Sequence, residues 1–404
     1  MRRSELPHER QKTNLAEPLS SKSWLHRTDK KFINFAKNRV FQHGVISICL
    51  CTAPGTLDRS HSERNLQMEY FAGLDVSMEE THICVLDREG TLIREGKTRS
   101  SPAAIATFLA DGPSCEQVVF ETGRMAPMLY HGLVEHDVRV VCIENRQAYQ
   151  ALKSLAGHKT DRNDARGLAH LARTGFYKPT HVKSLSAHAV RSLIAARKKL
   201  VGQRVSIDNQ IRGLVVVFGV RLPRALSPAF KDAALKVSDG VPGLHAALSG
   251  LFAAREAMLN AIAAIDSDMK KMARNSKVCS RLMTVPGVGP ITSLAFAAAI
   301  DDPSRFKRSR DVGAYLGLVP RRYQSGEIDY TGSISKRGDV RVRTLLYEAA
   351  NVMLTRTAAS LELKDWARAI GARSTMRKAR VALARRLAII MHAMMRNETE
   401  FQAA

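Results

Sequence analysis

The sequence predicts an α/β layer with a mixed sheet, followed by two mainly helical regions. Three observations carry this prediction. From Tyr70 onward, short runs rich in apolar and β-branched residues alternate with helical stretches. A seven-residue repeat of apolar and basic residues runs through residues 186–218, and a Gly-x-Gly link joins two apolar helices near residue 287. The chain has 404 residues, enough for two or three domains, and 45% hydrophobic content gives each a core.

Residues 1–67 are polar and mixed in charge, with only 45–50 distinctly apolar, and they are expected to be a disordered extension. Met68 directly precedes the first strand and is the expected natural start. From Tyr70, the strand 71–77 is followed by strands at 82–87 and 92–94 around the turn 88–91, an antiparallel meander. A helix over 103–109, a strand over 117–121, a helix over 127–135 and a strand over 138–144 complete the layer.

The long helix 186–218 repeats Leu193, Leu200, Ile207 and Leu214, with Arg197, Arg204 and Ile211 at a second phase. Pro223 and Pro228 break it, and a helix with Leu244, Leu248, Leu251, Met258, Ile262, Ile265 and Met269 returns alongside. This pattern fits an intramolecular helical hairpin and a dimerisation coiled coil equally. Next, Gly287 and Gly289 link helices over 279–284 and 291–300. Such a link lets backbone amides approach a phosphate, as in helix-hairpin-helix DNA binders, but a tight turn without a ligand has the same pattern. Asp339 is the expected cap of the next helix, and 374–397 is a basic amphipathic helix.

The formal charge of +24 comes from Lys and Arg spread along the whole length, which favours a large polyanion, nucleic acid first. A basic protein of ribosomal or membrane-surface type would need no acidic constellation. Here Asp75 lies in the apolar strand Phe71-Ala72-Gly73-Leu74-Asp75-Val76-Ser77, and Glu121 ends the run Val118-Val119-Phe120. Asp161 and Asp164 follow in Lys159-Thr160-Asp161-Arg162-Asn163-Asp164-Ala165-Arg166. A bare carboxylate on a buried strand is costly unless a cation neutralises it. Taken singly, Asp161 is as well explained as a helix cap. Together, the four acids suit two Mg2+ (or Mn2+) ions about 3.5–4 Å apart, in a metal-dependent nuclease or recombinase core. Hard oxygen donors without His or Cys at ligand spacing favour magnesium or manganese over zinc. The six cysteines (49, 51, 84, 115, 142 and 279) show no paired spacing and are expected to be reduced thiols. No apolar run of membrane-span length and no signal-peptide order are read, so the expected location is cytoplasmic, with no membrane partner.

The strand order and the first-strand acid resemble the RNase H-like, RuvC-type nuclease layer. Over residues 70–396 the chain resembles the DEDD transposases of the insertion-sequence-110 family, described also as bridge-RNA-guided recombinases. Gly73-Leu74-Asp75-Val76-Ser77, Phe120-Glu121-Thr122-Gly123 and 159–165 carry the first part of the resemblance. Pro286-Gly287-Val288-Gly289, 316–320, Ser325-Gly326 and 334–338 carry the second. The resemblance implies a RuvC-like DEDD domain at 68–183, a coiled-coil helical region at 184–275, and a mainly α-helical C-terminal transposase domain at 276–404 with a helix-hairpin-helix-like motif.

It also implies a nucleophilic serine, mapped to Ser325, that forms a covalent phosphoserine link to DNA, with Asp75, Glu121, Asp161 and Asp164 holding the metal. Composite sites in a homo-oligomer (dimer or tetramer), donor and target DNA, and a guide RNA are implied as well. Ser333 and Ser335 are close rivals of Ser325, because a Ser-Gly pair is by itself a common turn. Arg321, Arg322, Lys336 and Arg337 surround the serine and, with Gly287 and Gly289, are the candidate nucleic-acid contacts. Two other readings use the same residues: a metal-dependent endonuclease that activates water, and an inactive nucleic-acid-binding relic.

Overall fold

The computed structural model describes residues 69–155, 160–356 and 362–402. The expected extension 1–67, the start at Met68, Cys49, Cys51 and Lys159 lie outside the described residues.

Strands β1 (Tyr70–Val76), β2 (Glu80–Asp87) and β3 (Leu92–Arg99) form the antiparallel meander. After α1 (Pro102–Ala110), β4 (Cys115–Glu121) joins β1 in parallel. After α2 (Ala126–Glu135), β5 (Val140–Ile143) joins β4 in parallel, so the mixed sheet has the order β3-β2-β1-β4-β5. Alternation along the strands then assigns the faces. Leu74, Ile83, Val118 and Phe120 are buried with Ile105 of α1 and Leu129 of α2. On the opposite face, Phe71, Val119 and Ile143 are buried with Ala148 of α3 (Asn145–Leu155) and Leu168 of α4 (Asp161–Thr174).

Helix α4 lies directly on β1. A Cβ on Gly73 would fall inside 3.0 Å of the Ala165 carbonyl and the Ala169 amide, so only glycine permits this approach. The helix is also pinned to β3, where Arg162 and Arg166 donate to the Glu95 carboxylate at 2.6–2.9 Å. Burial alone would push Glu95 up, but the two guanidiniums outweigh it and hold its carboxyl below the usual range.

Two long helices follow, α5 (Leu185–Val216) and α7 (Pro242–Asn275), with the short α6 (Ala229–Val237) between them. Arg197 pairs with Asp266, and Arg255 with Asp208, so the register advances on one helix as it retreats on the other and the two run antiparallel. The expected positions Leu193, Leu200, Ile207 and Leu214, with Arg197, Arg204 and Ile211 of the second phase, are all half-buried or buried along α5, and Ala187, Ile194, Asp208 and Val215 widen that stripe. Asp208 sits inside the seam between Arg204 (2.6 Å) and Arg255 (2.8 Å), a position that an apolar pattern does not reveal.

Helix α7 also corrects the reading of membrane-length runs. By length and composition alone it is apolar enough to span a membrane, with a mean hydropathy of 1.3 over its best window. Its alanines raise that mean, while Leu244, Leu248 and Phe252 pack against α5 and α6.

The remaining helices share one core. They are α8 (Lys277–Leu282), α9 (Pro290–Ile300), α10 (Asp311–Tyr315), α11 (Val340–Thr355), α12 (Glu362–Arg373) and α13 (Met376–Asn397). Phe296, Leu316, Leu346, Met353, Leu387 and Met391 are fully buried there, joined by Ile194 of α5 and Met269 of α7. The helical expectation omitted one feature, an antiparallel ribbon of β6 (Pro320–Ser325) and β7 (Ile328–Ile334). Every residue of the ribbon except Ile334 is exposed.

Two half-buried carboxylates tie α5 to this core. Asp301 accepts from the Ser184 hydroxyl (2.6 Å) and amide (2.9 Å) and lies 2.8 Å from His181 Nε2. Asp339 caps α11, accepting from the Arg341 and Val342 amides, and pairs with Arg191 at 2.6 Å. At Asp339 burial pushes the carboxyl up, but Arg191 and the amides prevail and hold it low. A folded value below the unfolded one gives stability that is complete above the ordinary carboxylate range and lost as pH falls through the folded value. Asp339→Asn keeps a capping oxygen but loses the charge, and should cost roughly 1–2 kcal/mol at neutral pH. It should also flatten the acid limb of a stability-versus-pH curve below about pH 4. An unchanged acid limb would show that the Arg191 pair contributes nothing.

Candidate active site

The four acids come from three elements that meet at one edge of the sheet. Leu74 and Phe120 are the last partners of the parallel pair, so Asp75 and Glu121, each one residue further on, stand at the carboxyl ends of neighbouring strands with backbones about 4.8 Å apart. By alternation both share the face of Gly73 and Val119, which is covered by α4. Thr160 caps α4, its hydroxyl accepting from the Asn163 amide, so Asp161 occupies the first helical position and not the cap itself. Asp161 and Asp164 continue the stripe of Ala165 and Leu168 one turn beyond the sheet, at the positive end of the helix dipole. The carboxyl ends of parallel strands are where open α/β sheets bind ligands.

A fifth residue stands here that the sequence reading passed over. His82 is the cross-strand partner of Asp75, and its Nε2 lies 3.8 Å from the Asp161 carboxylate. The signal was available, because a meander that turns between the first and second strands, at 77–79, returns residue 82 to residue 75. Among the described residues, no three His, Cys, Asp or Glu side chains stand close enough to hold one ion. The Asp161 side chain is 71% exposed and turned toward His82. Backbone placement and all-oxygen donors nevertheless fit Mg2+ or Mn2+. The described thiols do not compete as ligands: burial pushes Cys84 and Cys115 up to about 11 and, with the charge of Glu121, Cys142 to about 12.

Ser325 lies on another element, at the end of β6, where Gly326 and Glu327 turn the ribbon. Gly326 has φ +58, as a two-residue hairpin turn with glycine first requires. The hydroxyl is therefore presented at an exposed tip, while Ser333 and Ser335 lie toward the ribbon's base. Tyr323 and Tyr330 stack at 5.3 Å along the ribbon, and Arg322 clasps Asp329 with two hydrogen bonds. Arg321 donates to the Ser333 hydroxyl at 3.3 Å. Lys336 has a left-handed backbone, φ +55, and the Arg337 carbonyl accepts from the buried Arg343 at 2.6 Å.

The glycine link resolves into two different positions. Gly287, φ +90, packs against the Ala349 carbonyl of α11, so its lack of a side chain serves that helix contact. Gly289 precedes α9 and has open space around it.

Comparison with known proteins bears on both halves of the chain. Residues 72–218 match a DEDD-type family model described as transposase, and residues 279–364 match one described as transposase, IS116/IS110/IS902 family. The transposase for insertion sequence element IS1111A of Coxiella burnetii is 29% identical over 333 residues, covering 81% of this chain and 90% of that protein. The transposase for insertion sequence element IS1328 of Yersinia enterocolitica is 28% identical over 321 residues, covering 79% and 94%. A protein of insertion element IS116 from Streptomyces clavuligerus is 24% identical over 386 residues, covering 83% and 96%.

Proposed function

Since the chain belongs to the IS116/IS110/IS902 family of insertion-sequence transposases, we propose that it cuts and rejoins DNA by metal-dependent phosphoryl transfer with Ser325 as nucleophile. The observation that supports this most is the backbone placement of Asp75, Glu121, Asp161 and Asp164 at the carboxyl end of the paired strands β1 and β4 and the start of the helix that covers them, in a chain of net charge +24.

In this reading the four carboxylates hold two Mg2+ or Mn2+ ions, which when bound supply charge stabilisation to the attacking and leaving oxygens. Ser325 Oγ attacks a DNA phosphorus, an O–P bond forms, and the bond to the departing deoxyribose oxygen breaks. A serine hydroxyl is a weak nucleophile until its proton is taken; in this reading a carboxylate of the acidic site accepts that proton and the departing deoxyribose oxygen takes one up from water, so Ser325 must meet the acidic site in order to react. The exposed ribbon tip favours a meeting in which one copy presents Ser325 to the acidic edge of another, within a dimer or tetramer. Donor and target DNA are the substrates, a guide RNA pairing with both makes the choice of sequence, and the reaction takes place in the cytoplasm. Arg321, Lys336 and Arg337 are proposed phosphate contacts, with Gly289 as the open position of the glycine link.

The test is to incubate the protein with Mg2+, RNA from the flank of its own element, and labelled donor and target DNA, then run denaturing gels. A strand linked to protein, absent with Ser325→Ala, is the expected result. Cleavage without linkage would replace the serine with water, and tight binding without cleavage would leave a nucleic-acid-binding relic.

A further inference from the structure

The base of the ribbon and helix α13 enclose a groove of about 760 Å³ that is separate from both the acidic edge and the Ser325 tip. Its rim carries five cations, Lys336, Arg377, Lys378, Arg385 and Arg386, and its lining contains no Asp or Glu. Among the described residues none of the five pairs with a carboxylate, although seventeen ion pairs occur elsewhere. Arg377 and Lys378 stand in the first turn of α13, which has no acid. That is the end of a helix where cations are disfavoured, and an anion in the groove would compensate them. Lys336 reaches the rim from a left-handed backbone that non-glycine residues seldom adopt.

The floor is of a different character. Leu318, Ile334, Val381 and Ile389 make it aliphatic, and Trp366, 41% exposed, stands at its side with the Arg386 guanidinium 6.0 Å from its ring. Cations above an aromatic and aliphatic surface match a sugar-phosphate backbone with unstacked bases. The volume is in the range of drug-sized ligand pockets and far below that of a double helix. The groove wall is also the base of β6, and Ser325 lies five residues, about 17 Å, along that strand. A strand held here is led toward the cutting residue, which favours DNA as the occupant.

We infer that the groove between the β6–β7 ribbon and α13 holds an unpaired DNA strand, its phosphates on the five cations and a base against Trp366. This rests on the proposed function for the direction in which the strand runs, and on the groove alone for binding.

The chain has two tryptophans, Trp24 and Trp366, so Trp24→Phe leaves the groove residue as the sole indole fluorophore. In the full-length protein with EDTA present, so that no cleavage occurs, a single-stranded oligo-dT should quench that fluorescence. A duplex of equal length and oligo-U should quench it less. Arg377→Gln with Lys378→Gln should lower the slope of log affinity against log salt by about 1.4, and Trp366→Ala should weaken binding about fivefold or more. Both variants should retain the far-ultraviolet circular dichroism of the parent. Absence of quenching, equal affinity of the double variant, or stronger quenching by oligo-U would overturn the inference. Quenching by a parent protein that forms no DNA adduct when Mg2+ replaces EDTA would retain the groove and remove the catalytic assignment. An adduct without quenching would do the reverse.

Discussion

Gly73→Ala is expected to cost about 3 kcal/mol and to lower the unfolding transition of the N-terminal sheet by roughly 6–12 °C. The cause is specific. The added methyl would meet the Ala165 carbonyl and the Ala169 amide, backbone atoms of α4 that can yield only by moving the whole helix. Displacing α4 also displaces Asp161 and Asp164 from the ends of β1 and β4, so cleavage should fall along with stability. Gly202→Ala is the control. Gly202 lies in α5 with open space around it, and the change should be neutral or should stabilise by roughly 0.5–1 kcal/mol. Equal stability of the two variants, measured by thermal unfolding and by amide exchange in β1, would show that the contact of α4 with β1 is not what holds this edge.

Asp75→Ala is expected to reduce strand cleavage about 10³-fold or more while leaving DNA binding intact or slightly tighter. Losing one carboxylate from a two-ion site removes several kcal/mol of charge stabilisation in the reacting state, whereas removing an acid from a protein of charge +24 does not weaken its hold on a polyanion. The variant also tests whether sites are shared between copies. If Ser325 of one copy works against the acidic edge of another, mixing Asp75→Ala with Ser325→Ala protein should restore part of the activity, since some sites then pair an intact edge with an intact serine. Mixed oligomers without activity would place both groups in one copy.

The sheet was legible because its strands alternate between buried faces. The period-2 pattern around Leu74 and Phe120, with the turn at 88–91, fixed the order of the meander, and the apolar runs marked where Asp75 and Glu121 end their strands. The rest was hidden for identifiable reasons. Apart from Ile334 at its base, the β6–β7 ribbon is exposed on both faces, so Arg321, Arg322, Tyr323 and Gln324 carry no hydrophobic period, and only the Ser325-Gly326 turn signalled it. Asp208 was missed as a member of the α5 seam because its burial depends on Arg204 and Arg255, which neutralise it there and leave no apolar signal. Gly287 was read either as making room for a phosphate or as a tight turn without a ligand, and the structure sets it against the Ala349 carbonyl of α11, a neighbour that no local motif reveals. His82 was passed over because its importance lies in register and not in any local motif.

The most direct test of the central claim is to stop the reaction with a suicide DNA substrate, digest the linked protein, and identify the nucleotide-bearing peptide by mass spectrometry. The account predicts the modification on Ser325, at the tip of the ribbon. A nucleotide on Ser333 or Ser335, or no linked peptide despite cleavage, would contradict it.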